Sequence, residues 1–70
     1  MSIIQIAVDN HLRIKQVSMR DLLRAAYMRK FGREIPPNAL EEDLRNWSEG
    51  RRDAIPYLLD FMLGEHSATY

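Results

Sequence analysis

Hydrophobic and polar residues alternate along the first part of the chain. Ile, Val and Leu recur at every second position on both sides of segment 9–11, whose Asp, Asn and His residues favour a turn. A three-residue loop places apolar residues opposite each other, as in the pair Val8 and Leu12. The pattern predicts a β-hairpin over residues 3–17. One long helix over residues 2–31 is the competing interpretation, and the β-branched residues at its start count against it.

Three helices are predicted after the hairpin. Apolar residues at helical spacing indicate a first helix over residues 19–31, and Ser18 is a suitable N-cap for it. The same spacing predicts a second helix over residues 39–48 and a third over residues 54–63. Residues 65–70 are polar or small for the most part and are expected to form a flexible tail.

Together these elements predict one α+β domain over residues 1–64, with a β-hairpin followed by three short helices. A chain of 70 residues has a thin core and buries only about 60% of the surface of its unfolded form. Cysteine is absent from the sequence, which excludes disulfides and thiolate zinc sites. His11 and His66 have no ligand spacing around them, so neither a metal nor a cofactor is expected. A partner or a second copy is the remaining source of stability.

The third predicted helix is more apolar than one small core requires. Tyr57, Phe61 and Leu63 extend its apolar surface around the helix, and Met28 faces outward on the first predicted helix. These four residues are therefore the predicted partner-binding residues, with a homodimer as one form of that contact. The alternative is a central helix that is covered on two sides by the rest of the chain.

Charge is segregated along the chain. Residues 1–33 carry seven basic and two acidic residues, whereas residues 34–70 carry three basic and eight acidic residues, so the total net charge of zero hides halves of +5 and −5. The basic residues of the first half are Arg13, Lys15, Arg20, Arg24, Arg29, Lys30 and Arg33. They could face the phosphates of a nucleic acid or an acidic partner, or contact the acidic second helix of the same or another copy. The balanced overall charge and the lack of bases in residues 54–63 count against nucleic acid.

Catalysis has little support in the sequence. His11 lies in the predicted turn and His66 in the predicted tail, and neither has a positioned nucleophile nearby. The three glycines fall at the ends of predicted helices, so no phosphate-binding loop is expected. The start of the chain does not resemble a signal peptide, and no run approaches the roughly 20 apolar residues that span a bilayer. A soluble, cytoplasmic, non-enzymatic protein without membrane contact is expected.

The sequence thus predicts a small module that binds another protein by occupying its surface, as an adaptor, modulator or inhibitor, and that forms a homodimer. Accessory proteins of phages and plasmids have this size, an analogy that rests on size alone. The alternative is a nucleic-acid-binding regulator that uses the hairpin and the first helix.

Overall fold

The chain folds as a bundle of α-helices. The computed structural model describes the backbone of residues 3–67 and the side chains of residues 3–64, and this part of the chain contains no strand. Its elements are α1 (Ile3–Lys15), α2 (Met19–Phe31), α3 (Pro37–Ser48), one turn of 3-10 helix (Arg52–Ala54) and α4 (Pro56–Ser67). Helix α2 packs against both α3 and α4, and α1 packs against α4.

The predicted β-hairpin over residues 3–17 is wrong, and with it the α+β class. The segment is helix α1, and the predicted turn lies in the middle of it. Ile4, Val8 and Leu12 recur every four residues and lie on the face that packs toward the core. Ile and Val lower helix stability by less than about 1 kcal/mol per residue, whereas an isolated two-stranded hairpin is marginal in water. Packing against α4 therefore decides in favour of the helix.

Helix α1 ends without a glycine. Gln16 adopts the left-handed conformation with a φ of 56°, and the N–H of Val17 donates to the carbonyl of Leu12 over 3.2 Å. This is a Schellman-type end in which glutamine occupies the position that glycine usually takes. The glycine that usually marks the end of a helix is thus missing here, so the sequence does not indicate the turn between α1 and α2.

Helix α2 occupies the residues predicted for the first helix and has the predicted N-cap. The Ser18 hydroxyl accepts a hydrogen bond from the backbone N–H of Asp21 over 3.2 Å. At the other end Gly32 adopts a φ of 72° and donates its N–H to the carbonyl of Met28 over 2.8 Å. Both ends are therefore closed by local hydrogen bonds.

The last two helices differ from the prediction at their ends. Helix α3 begins at Pro37, two residues early, because the fixed φ of proline suits the first helical position. Residues 52–54 form the 3-10 turn, so α4 begins at Pro56. It then continues through Gly64 to Ser67, into the segment predicted as a tail. Residues 68–70 of that tail lie outside the described residues.

The core lies where α2 meets α3 and α4, and α1 contributes two residues to it. Its buried residues are Ala7, Val8, Leu22, Leu23, Ala26, Ile35, Leu40, Ile55, Tyr57, Leu58 and Met62. Within the described residues, no helix combines the length and the apolar character that crossing a bilayer requires.

Two leucines of α4 test this assignment of core and surface. Leu58 is fully buried, whereas the side chain of Leu63 is 67% exposed. We expect Leu58→Ala to lower the free energy of unfolding by about 2–4 kcal/mol, because it leaves a cavity. Leu63→Ala should change it by less than about 0.5 kcal/mol. Urea denaturation of both variants measures the difference, and equal losses would contradict the described orientation of α4.

The end of α1 offers a stabilising substitution. A residue with a Cβ atom in the left-handed conformation destabilises the folded state by about 1–2 kcal/mol. Glycine avoids this cost, but its greater freedom in the unfolded chain offsets about half of the gain. Gln16→Gly should therefore raise the free energy of unfolding by about 0.5–1 kcal/mol. Gln16→Ala keeps the Cβ atom and serves as the control that should gain nothing. Destabilisation by glycine would show that α1 does not end at this residue.

Candidate functional site

The predicted partner-binding residues of α4 do not share one surface. Tyr57 is buried and Phe61 is half-buried, whereas Leu63 is exposed. The ring of Phe61 lies edge-on to His11 of α1 at 5.9 Å between centroids, and the Arg29 guanidinium lies 5.5 Å from the same ring. Two aromatic residues of the predicted binding face are therefore used inside the molecule, where α4 joins α1 and α2.

A partly buried polar pair joins α3 to α4. The hydroxyl of Tyr57 donates a hydrogen bond to Oδ2 of Asp43. Burial raises the pKa of Asp43 above its usual value; the hydrogen bond from Tyr57 lowers it in part, and the charge of Glu42 raises it further. The pKa of Tyr57 is raised well above 10.0, first by burial and then by the hydrogen bond and the negative charge of Asp43. The pair therefore links the packed helices α3 and α4.

Folding pairs bases of the first half of the chain with acids of the second. Arg20 of α2 lies 3.0 Å from Glu41 of α3, and Lys30 of α2 lies 3.1 Å from Asp60 of α4. All four side chains are about half exposed, so each pair contributes little to stability. Their position nevertheless supports one of the interpretations of the charge pattern, in which the basic face contacts the acidic helix of the same chain.

The other predicted basic residues are spread over the molecule. Arg13 and Lys15 lie at the end of α1, where Arg13 donates to Oδ1 of Asn10 over 3.1 Å. Arg24 lies on α2 and Arg33 in the link that follows it, and both are exposed. These residues belong to different elements, and the acids beside α2 interrupt the basic surface that the sequence suggested.

A groove runs between α2 and α3. Its volume is about 570 Å³, and residues of the link between the two helices line part of it. Its apolar floor consists of Ala25, Met28, Ile35, Pro37 and Leu40. Its charged rim consists of Arg20, Arg24, Glu34 and Glu41. We call this the α2–α3 groove.

The sequence pointed to only part of this groove. Met28, Arg20 and Arg24 were among the predicted binding residues, but Ile35 and Leu40 were not. Ile35 follows a charged residue and precedes two prolines, which is typical of a linker. Ile35 lines the groove because the fold places it in the core cluster together with residues of α2 and α3. The only indication of Ile35 in the sequence was that it is a single apolar residue in an otherwise polar link between two helices.

Metal chemistry finds no support in the described side chains. No three His, Asp or Glu residues within residues 3–64 are grouped closely enough to hold a metal ion. His11 lies in α1 against Phe61 rather than in a turn, and the side chain of His66 lies outside this range.

Comparisons of the chain with protein-family models, with curated proteins and with solved structures find no match. The candidate function is therefore argued from the surface itself.

The Tyr57–Asp43 pair predicts a specific response to alkaline pH. Because the pKa of Tyr57 is raised in the folded state, the unfolded chain loses this proton first as the pH rises above 10. Protonated Tyr57 therefore makes its full contribution to the free energy of unfolding below pH 10. Above pH 10 this contribution decreases by about 1.4 kcal/mol per pH unit for one proton.

Tyr57→Phe should remove that part of the alkaline decrease. Tyr27→Phe should retain most of it, because the charge of Tyr27 is the weakest of the influences that raise the pKa of Tyr57. Urea denaturation between pH 8 and about 11 gives the comparison. Identical pH profiles for Tyr57→Phe and the unmodified chain would contradict the hydrogen bond between Tyr57 and Asp43.

Proposed function

We propose that this protein is a small non-enzymatic protein-binding module that acts by occupying the surface of another protein. The α2–α3 groove is the proposed binding site. The observation that carries the proposal is an apolar floor left open between charged residues on both walls. The proposal places the site on α2 and α3 instead of α4, because the α4 aromatic residues are used in helix packing.

The floor of the groove is suited to an apolar side chain. Met28 is 44% exposed and lies in the same groove as Ile35 and Leu40, which are almost fully buried. A partner side chain placed here would cover Met28 and contact the other two, with a gain of about 25 cal/mol per Å² of apolar surface removed from water. Methionine also adapts its shape to different partners because its side chain is unbranched.

The charged residues at the rim of the groove determine which charge a partner should carry beside its apolar side chain. Arg20 already pairs with Glu41, so neither is fully available to a partner. Arg24 and Glu34 are exposed, and within the described residues neither makes an ion pair. The preferred ligand is therefore an apolar residue with a carboxylate placed to reach Arg24, and a second acid near Glu34 is disfavoured.

The mode of action follows from the character of the site. The groove has no group of metal ligands, and its only charged groups are suited to orienting a partner. Occupancy of a partner surface would make the protein an adaptor, modulator or inhibitor. As part of the same proposal, it acts in the cytoplasm, where a chain without cysteine loses no stabilising bond to reducing conditions.

Selection of peptides from a random display library tests the proposed site and requires no identified partner. We expect the immobilised chain to enrich peptides that combine a large apolar residue with Asp or Glu. Met28→Asp should abolish this enrichment, because it places a charge on the apolar floor. Arg24→Glu should shift the enriched peptides from acidic to basic residues at the flanking position.

Leu63→Asp is the matched control, because Leu63 is at least as exposed as Met28 but lies outside the groove. It should leave the enriched peptides unchanged. Enrichment that survives Met28→Asp, or the absence of any enrichment, would contradict the proposal. Tight binding of a DNA or RNA oligonucleotide that weakens steeply with salt would favour the nucleic-acid alternative instead.

A further inference from the structure

Helix α1 carries a second apolar stripe that the core does not use. Ile3, Ile6 and Ile14 are 87%, 47% and 67% exposed, although the opposite face of the same helix packs toward α4. At 100° per residue these three positions and Asn10 fall within an arc of about 80°. We call this stripe the α1 isoleucine face. Three exposed isoleucines on one helix face are more than scattered surface residues and indicate a contact.

We propose that the α1 isoleucine face is covered by the same face of a second copy of this chain, in an antiparallel pair of α1 helices. This inference is independent of the α2–α3 groove, which shares no residue with the face. The argument for a second copy rests on the symmetry of the pattern around Asn10 and on the charges beside it.

The pattern is self-complementary when Asn10 lies on the two-fold axis. In an antiparallel pair centred there, Ile6 of each copy lies opposite Ile14 of the other, because both are four residues from Asn10. Ile3 extends the contact by about one further turn. An isologous dimer requires this property, since each surface must fit itself.

Asn10 supplies the polar contact at the centre. Its side-chain amide carries both donors and an acceptor, so two copies that meet at the axis can hydrogen-bond to each other. Within one chain its Oδ1 accepts from Arg13, which leaves the NH₂ group available. A single asparagine within an apolar seam is known to set the register of paired helices.

The charges at the edge of the face fit the same arrangement. Asp9 and Arg13 lie on one side of the stripe, and within the described residues neither makes an ion pair. A two-fold axis brings this side of both copies together. Asp9 of one copy and Arg13 of the second are then separated by about 3 Å along the helix axis, within reach of an arginine side chain. The pairing occurs twice, once in each direction.

Cysteine cross-linking tests the pairing and its direction, because the chain contains no cysteine of its own. We expect Asn10→Cys to oxidise to a covalent dimer, since the two sulfur atoms meet at the axis. A mixture of Ile6→Cys and Ile14→Cys chains should form the mixed dimer in preference to either homodimer. Leu63→Cys is the control, because it places an exposed cysteine outside the proposed contact and so measures disulfide formation by random collision.

Cross-linking of Asn10→Cys no faster than Leu63→Cys would overturn the proposal, and the face would then serve a different partner. Preferential linkage of Ile6→Cys chains to each other would overturn the antiparallel register. Circular dichroism of each variant checks that these exposed positions tolerate the change.

Sedimentation equilibrium of the unmodified chain gives a second measure. It should show a weak dimer at submillimolar concentrations, since the contact is small for a protein interface. Ile14→Asp should weaken association about tenfold or more, whereas Leu63→Asp should not. Met28→Asp, which disables the groove, should leave the dimer intact. A chain that remains monomeric throughout the concentration range would refute the inference.

Discussion

The contact of α2 with its two neighbours is the constraint on which the rest of the structure depends. Leu22, Leu23 and Ala26 are almost completely buried on one side of α2, where α3 and α4 meet it. The exposed positions of α2 carry its four basic residues, together with the apolar side chains of Met28 and Phe31. Burying the apolar side of a basic helix against two acidic helices brings the segregated charges of the sequence together, so the halves of the chain partly neutralise each other across the helix contacts.

The same arrangement explains why α4 is so apolar. It lies between α1 and α2, and Tyr57, Phe61 and Leu58 each contact the rest of the bundle. Apart from Leu63 of α4 and Phe31 of α2, the large apolar side chains that remain exposed lie on the α1 isoleucine face and in the α2–α3 groove. A chain of this size has too few residues to cover every apolar side chain itself. Surplus apolar surface is therefore expected, and the structure decides where it lies.

The two proposed contacts differ in the way they would be recognised. The α2–α3 groove is concave, has opposite charges on its walls and suits a partner of a different kind. The α1 isoleucine face is a single helix stripe with its polar residue at the centre, and it suits a copy of itself. Because they lie on different elements, one chain could pair with a second copy while its groove remains open to another protein.

Local interactions determined the parts of the structure that the sequence could predict. The Ser18 cap, the spacing of apolar residues in α2 and the glycine at its end are properties of neighbouring residues, so this helix could be predicted directly. The first segment could not, because its apolar residues satisfy both a two-residue and a four-residue period, and only the presence of α4 selects the helix. The floor of the groove and the burial of Tyr57 also depend on residues far apart in the chain. The segregation of charge could be counted from the sequence. Which basic residues pair with which acidic residues depends on the helices that lie side by side in the fold.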